Sequence, residues 1–109
     1  MPVSIDIGET NLVACLSGEI DHHSAAKLRE EIDTAIESSY PELLILDFGG
    51  VTFMDSSGIG LVMGRYKLMR NISGNVVIEN APKSIKKVFK MSGIDKLLSG
   101  EKRKEESFV

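Results

Sequence analysis

Short apolar runs separated by turn residues predict the strands of this chain. Residues 4–7 alternate between polar and apolar side chains, and Gly8 to Asn11 form a turn signal before the first continuous apolar run. These segments together predict an N-terminal β-hairpin. The apolar runs lie at residues 12–16, 43–48 and 75–79. Such runs are typical of strands covered on both faces, and Gly49-Gly50 is expected to end the second run.

Between the strands, apolar residues recur at three- and four-residue spacing and predict amphipathic helices. The first helix follows Asp21, a good N-cap candidate. A second pattern covers residues 59–70, and a third is opened by Pro82 and stopped by Gly93. Residues 94–98 predict a short further helix. The apolar positions of the first helix are Ala25, Leu28, Ile32, Ala35 and Ile36.

An initial hairpin followed by alternating helices and strands predicts one α/β domain. Its sheet is expected to be mixed but mostly parallel, with about four to five strands and about four helices packed on it. The predicted domain covers residues 1–98, and residues 99–109 are predicted to be a charged, frayed tail. Because functional residues gather where strands end and helices begin, residues 21–24 and 55–60 become the candidate site.

Composition narrows the class of protein. The 109 residues are 42% hydrophobic and 27% charged, as expected for one globular domain rather than a disordered chain. The single cysteine, Cys15, excludes an intrachain disulfide and favours a reducing compartment. There is no run long enough to span a bilayer and no secretory signal, and the net charge is −3. We therefore expect a cytoplasmic protein that binds neither membranes nor nucleic acid.

Two enzyme interpretations of the candidate site are weak. A nucleophilic Ser56 or Ser57 would need glycines two residues before and after it. Met54 breaks that pattern for Ser56, and the pattern fails at both ends for Ser57. Gly58, Gly60 and Gly64, with Glu79 downstream, imitate a dinucleotide-binding fingerprint. However, the glycines of such a fingerprint should follow their strand directly, and these lie well beyond the strand at 43–48. Gly60 and Gly64 are more simply explained as letting a helix lie close to the sheet.

The charged and metal-binding candidates also have simpler explanations. His22 and His23 should point about 100° apart on a helix, so they are poorly placed to share one ion, and we expect no metal and no cofactor. Four lysines share one face of the third helix: Lys83, Lys86, Lys87 and Lys90. This stripe is usually a solvated face, although it suits an acidic partner as well.

A phosphorylation site is the remaining interpretation of the serines. Ser56 or Ser57 is expected to be the N-cap of the second helix, where the helix dipole favours negative charge. A phosphate there would fit the fold and would make a surface that already carries Asp21 and Asp55 strongly anionic. It would then repel a partner that docks on Ile59. Physical reasoning alone does not favour a phosphorylation site over an ordinary capping serine.

Four segments resemble one protein family. They are GEIDHHSA at 18–25, FMDSSGIG at 53–60, GRYK at 64–67 and FKMSG at 89–93. They are similar to the bacterial anti-sigma factor antagonists, small single-domain proteins of the STAS fold, and point to the sporulation branch of that family. The resemblance covers about residues 4–98.

The resemblance implies a regulator rather than an enzyme. The unphosphorylated protein would bind an anti-sigma factor that is also a serine kinase, and so release a sigma factor. The kinase would phosphorylate Ser56 with ATP, and a metal-dependent serine phosphatase would reverse this. The implied partner-binding residues flank Ser56: Asp21, His22, Asp55, Ser57, Gly58, Ile59 and Gly60.

Two other functions stay open from the sequence. One is a STAS module of a different partner-switching system, such as a general stress response. The other is a small hydrolytic or nucleotide-binding enzyme.

Overall fold

The sheet contains four strands in the order β1-β2-β3-β4 within residues 3–98, which are the residues that the computed structural model describes. The predicted tail at 99–109 lies outside the described residues. The strands are β1 (Val3–Ile7), β2 (Asn11–Ile20), β3 (Leu43–Met54) and β4 (Asn75–Glu79). β1 and β2 pair antiparallel, whereas β3 pairs in parallel with both β2 and β4. The predicted hairpin and the mixed, mostly parallel sheet are therefore confirmed.

Three long helices and one short helical segment follow the predicted order in this part of the chain. The helices are α1 (His22–Ser39), α2 (Ser56–Asn71) and α3 (Lys83–Ser92), and residues 94–98 are also helical. All of the predicted apolar positions of α1 except Ala25 are buried, and Ala25 is half-buried against the core. The expectation of about four helices is confirmed.

One face of the sheet is more deeply buried than the other. In β2, Leu12, Ala14 and Leu16 are buried, whereas Val13 between them is half-buried and Cys15 is exposed. The first six residues of β3 alternate between half-buried and buried in the same way. The prediction that these strands are covered on both faces is therefore wrong, because only every second side chain is buried in the core.

The helices cover the buried face of the sheet. α1 packs against β1 and β2, and α2 packs against β3 and β4. On α3, the Phe89 ring meets the Phe48 ring of β3 edge to face, with ring centroids 5.1 Å apart. These contacts join the helices and the sheet in one hydrophobic core.

The pair Gly49-Gly50 does not end β3, contrary to the prediction. The strand continues to Met54 because β2 continues beside it, with register shifts that absorb the irregular backbone. A Cβ at Gly50 would lie 2.9 Å from the Ser17 Cβ, so the close approach of the two strands requires glycine. The glycines therefore permit a long paired strand instead of terminating it.

A partly buried ion pair joins α1 to α2. The Arg65 Nε lies 2.8 Å from the Asp33 Oδ1, and the two side chains are 6% and 27% exposed. Burial lowers the pKa of Arg65 and raises the pKa of Asp33, and in both cases the attraction between the two charges opposes that shift. Since the folded pKa of Asp33 lies above its ordinary value of 3.8, its ionisation costs stability as the pH rises through the folded pKa.

We expect that removing one partner of this ion pair lowers the free energy of unfolding, whereas replacing both partners with apolar residues leaves it nearly unchanged. Asp33→Leu leaves the Arg65 cation buried without its partner and should lower the free energy of unfolding by about 2–3 kcal/mol. The double variant Asp33→Leu/Arg65→Met should return to within about 1 kcal/mol of the unchanged protein. Urea unfolding measures both, with Glu30→Ala on the exposed face of α1 as the control. A double variant as unstable as the sum of its single variants would contradict this expectation.

Candidate functional site

The site is built where two parallel strands end side by side. Ile20 at the end of β2 pairs with Met54 at the end of β3, and the Asp55 backbone N–H donates to the Ile20 carbonyl at 3.1 Å. Asp21 and Asp55 are therefore neighbouring strand-end residues, and each is followed directly by a helix. This confirms that residues 21–24 and 55–60 lie at the same end of the sheet.

Asp21 is the N-cap of α1, as predicted. Its carboxylate accepts hydrogen bonds from the backbone N–H groups of His23 (2.9 Å) and Ser24 (3.0 Å), and the Ser24 Oγ accepts from the Asp21 N–H. The hydrogen bond from Ser24 lowers the pKa of Asp21 below 3.8, with help from His23 and against the effect of burial. The charged cap therefore stabilises the fold above the unfolded pKa, and its contribution is lost as the pH falls through the lower folded pKa.

Asp55 is the N-cap of α2, so the prediction that Ser56 or Ser57 caps this helix is wrong. The Asp55 carboxylate accepts from the Ser57 backbone N–H at 2.8 Å. The aspartate occupies the capping position because it is the last extended residue before the helix. Ser56 is consequently the first residue of α2, and it is exposed.

The position of Ser56 determines what its hydroxyl can do. The hydroxyl is not needed to cap the helix, because Asp55 performs that role. It lies in the first turn of α2, where unpaired N–H groups and the helix dipole favour an anion. An exposed hydroxyl in this place can accept a phosphoryl group without displacing a structural hydrogen bond of the cap.

The other predicted contact residues of α2 differ in exposure. Ser57 and Ile59 are half-buried, and Gly60 is exposed. Gly58 is buried, and a Cβ at this position would overlap the Met54 side chain. Gly58 thus leaves room for the Met54 side chain between α2 and the sheet.

Gly60 and Gly64 do not serve to bring α2 close to the sheet, contrary to the prediction. An added Cβ at either residue meets no atom within 4 Å. All three glycines of the apparent dinucleotide fingerprint lie within α2 rather than in a loop between strand and helix. They therefore lack the backbone arrangement by which such a loop holds a pyrophosphate.

His22 and His23 are both exposed in the first turn of α1. Their ring centroids lie 4.0 Å apart with the planes tilted by 38°, so the rings turn towards each other rather than diverging as expected for adjacent helical positions. Within residues 3–98, no group of three or more His, Cys, Asp or Glu side chains could hold a metal ion.

Phe53 is a surface feature that the sequence pattern did not single out. It lies two residues before the Asp55 cap, and its side chain is 52% exposed. An apolar segment at the end of a strand normally suggests burial, and the irregular register of β3 with β2 is not visible in the sequence. In the sequence, the one signal that could have singled out Phe53 was its place in segment 53–60, which contains the candidate site.

Comparison with known proteins gives a consistent result. The sequence matches the STAS domain over residues 3–107. The anti-sigma F factor antagonist of Paenibacillus polymyxa is 36% identical over 87 residues, which are 80% of this chain and 74% of that protein. The anti-sigma-B factor antagonist of Bacillus subtilis (strain 168) is 27% identical over 100 residues, covering 90% of each protein.

Solved structures agree with the sequence relatives. The anti-sigma factor antagonist SpoIIAA in its unphosphorylated form superposes with a TM-score of 0.76 at 35% identity, covering 84% of this chain and 80% of that one. The Bacillus cell fate determinant SpoIIAA in the phosphorylated form gives a TM-score of 0.70 at 34% identity, covering 86% of each. In the described part of this chain, no helix is long and apolar enough to cross a membrane.

Two glycines of α2 should respond oppositely to the same substitution. Gly58→Ala should lower the free energy of unfolding by about 1–3 kcal/mol, because the added methyl group overlaps Met54. Gly60→Ala is the matched control and should raise it by about 0.5–1 kcal/mol, because alanine is favoured in an open helical position. Urea unfolding measures both variants, and equal effects of the same sign would refute the packing role of Gly58.

Proposed function

Because the chain belongs to the anti-sigma factor antagonists of the STAS domain family, we propose that it controls a sigma factor by partner switching. In this proposal the unphosphorylated protein binds an anti-sigma factor that is also a serine kinase, and this binding releases the sigma factor. The kinase transfers a phosphoryl group from ATP to Ser56, and the phosphorylated protein no longer binds. A metal-dependent serine phosphatase restores the first state.

The exposed Ser56 hydroxyl carries the proposal. A kinase must reach the acceptor hydroxyl, and Ser56 is exposed whereas Ser57 is half-buried. The Asp55 cap leaves the Ser56 side chain without a role in starting α2. The relative SpoIIAA, known in a phosphorylated form, supports a phosphorylation switch in this family.

We define the switch surface as the accessible residues around Ser56. It consists of Asp21, His22, Asp55, Ser56, Ser57, Ile59 and Gly60. Gly58 is buried, so its proposed contribution is to hold α2 against Met54 rather than to contact the partner. Phe53, two residues before Asp55, offers an exposed aromatic side chain of the kind that often anchors an interface.

The proposed switch is electrostatic. Phosphorylation adds about −1.5 to −2 charges at neutral pH. The adjacent strand ends already place Asp21 and Asp55 side by side, so the added charge joins two carboxylates. Burying this surface against a partner would then require desolvating a concentrated negative charge, while the apolar contact through Ile59 would be unchanged.

The relatives favour a sigma F type of system over a sigma B type. The sigma F antagonist is 36% identical, whereas the sigma B antagonist is 27% identical. A module of a general stress-response system is the second candidate within the same family. We further propose that the protein works in the cytoplasm as a kinase substrate and docking partner, without a catalytic activity of its own.

Substitution of Ser56 tests the switch. Ser56→Asp should weaken binding to the cognate kinase at least about tenfold, which corresponds to about 1.4 kcal/mol. Ser56→Ala should bind but should not be switched off by ATP, and Ser57→Ala is the matched control that should still switch. Isothermal titration calorimetry with and without ATP measures all three, and unaltered binding by Ser56→Asp would argue against the electrostatic mechanism.

The modified residue can be located directly. After incubation with the kinase and ATP, mass spectrometry should find one phosphate on Ser56. A phosphate on Ser57 instead would overturn the assignment. Capture with sigma F and sigma B type kinases in parallel separates the two candidate systems.

Phosphorylation should leave the fold intact, because the phosphate is added at an exposed position beside a preformed cap. The far-ultraviolet circular dichroism spectra of the two forms should superimpose. Loss of helical signal on phosphorylation would show that the switch acts by unfolding rather than by charge.

A further inference from the structure

A cavity of about 600 Å³ lies between α3, the edge of β4 and the helical segment 94–98. Its apolar lining consists of Val77, Ile78, Ala81, Phe89 and Leu98. No residue of the switch surface lines it. This size falls within the range of cavities that bind small molecules.

The lysine stripe of α3 borders this cavity. Lys83, Lys86, Lys87 and Lys90 all line it, and Asp95 is the only acidic residue in the described lining. No ion pair involving these lysines is found within residues 3–98. Like charges at spacings of three and four residues repel along a helix, so an anion in the cavity would relieve that repulsion.

We propose that this cavity binds an amphipathic anion, a carboxylate or phosphate attached to an apolar body. The lysine ammonium groups would pair with the anionic group, and the apolar body would cover the half-buried Val77, Ile78 and Ala81. A simple inorganic anion would leave the half-buried Val77, Ile78 and Ala81 uncovered. A neutral apolar molecule would offer the four exposed lysines no group of opposite charge.

Nuclear magnetic resonance titration of the full chain tests the proposal. Decanoate should shift the amide signals of β4 and α3 saturably, and decyl phosphate is the second anionic probe, which separates carboxylates from phosphates. Decanol lacks the anionic group and inorganic phosphate lacks the apolar body. Both should therefore bind at least about tenfold more weakly than decanoate. Equal binding of decanol, or no saturable shift with either anionic probe, would overturn the proposal.

Charge variants locate the anion. Lys86→Glu/Lys87→Glu should weaken decanoate binding at least about tenfold, while each new glutamate gains a lysine four residues away that supports α3. Lys86→Gln/Lys87→Gln provides a milder second variant. Lys67→Glu on α2, outside the cavity lining, is the matched control and should bind normally. If the control and the cavity variants lose binding equally, the lysine stripe is not the site.

The outcome is independent of the phosphorylation switch. Ser56→Ala should bind decanoate like the unchanged protein, because Ser56 does not line the cavity. A decanoate affinity that changed with Ser56 would contradict the assignment of a separate site.

Discussion

The pairing of β2 with β3 as far as Ile20 and Met54 is the constraint on which the candidate site depends. It brings two strand ends together and thereby places the capping residues Asp21 and Asp55 next to each other. If β3 stopped at Gly49, nothing would hold Asp55 and the start of α2 in a fixed position beside Asp21. The close approach of β3 to β2 at Gly50 is therefore part of the construction of the site, although this glycine lies away from it.

Capping by aspartate separates the structural role from the proposed functional role in this turn. Asp55 caps α2 by accepting a hydrogen bond from the Ser57 N–H, which leaves the hydroxyl of Ser56 available. A serine that capped the helix itself would lose a structural hydrogen bond on modification. The arrangement therefore supports a switch in which the surface charge changes and the fold does not.

The sequence predicted the order and type of the elements because each has a strong local pattern. The hairpin, the parallel strands and the amphipathic face of α1 all follow from apolar spacing. The cap at Asp21 was also predictable, since an aspartate preceded a clear helical period. These features depend on neighbours in the chain, which a sequence displays directly.

The features that were missed depend on contacts between distant segments. Glycine normally interrupts a strand, and only the neighbouring strand explains why β3 continues through Gly49 and Gly50. The burial of Arg65 likewise follows from the packing of α2 on α1, where Asp33 supplies its partner. The less buried face of the sheet was missed for the same reason. An apolar run in the sequence is compatible with a strand covered on one face or on both, and only the packing of the helices decides between them. The local sequence pattern therefore locates the candidate site at the strand ends. The exposure of Ser56 and the packing of α2 on the sheet depend on tertiary contacts among β2, β3 and α2, which the sequence does not display.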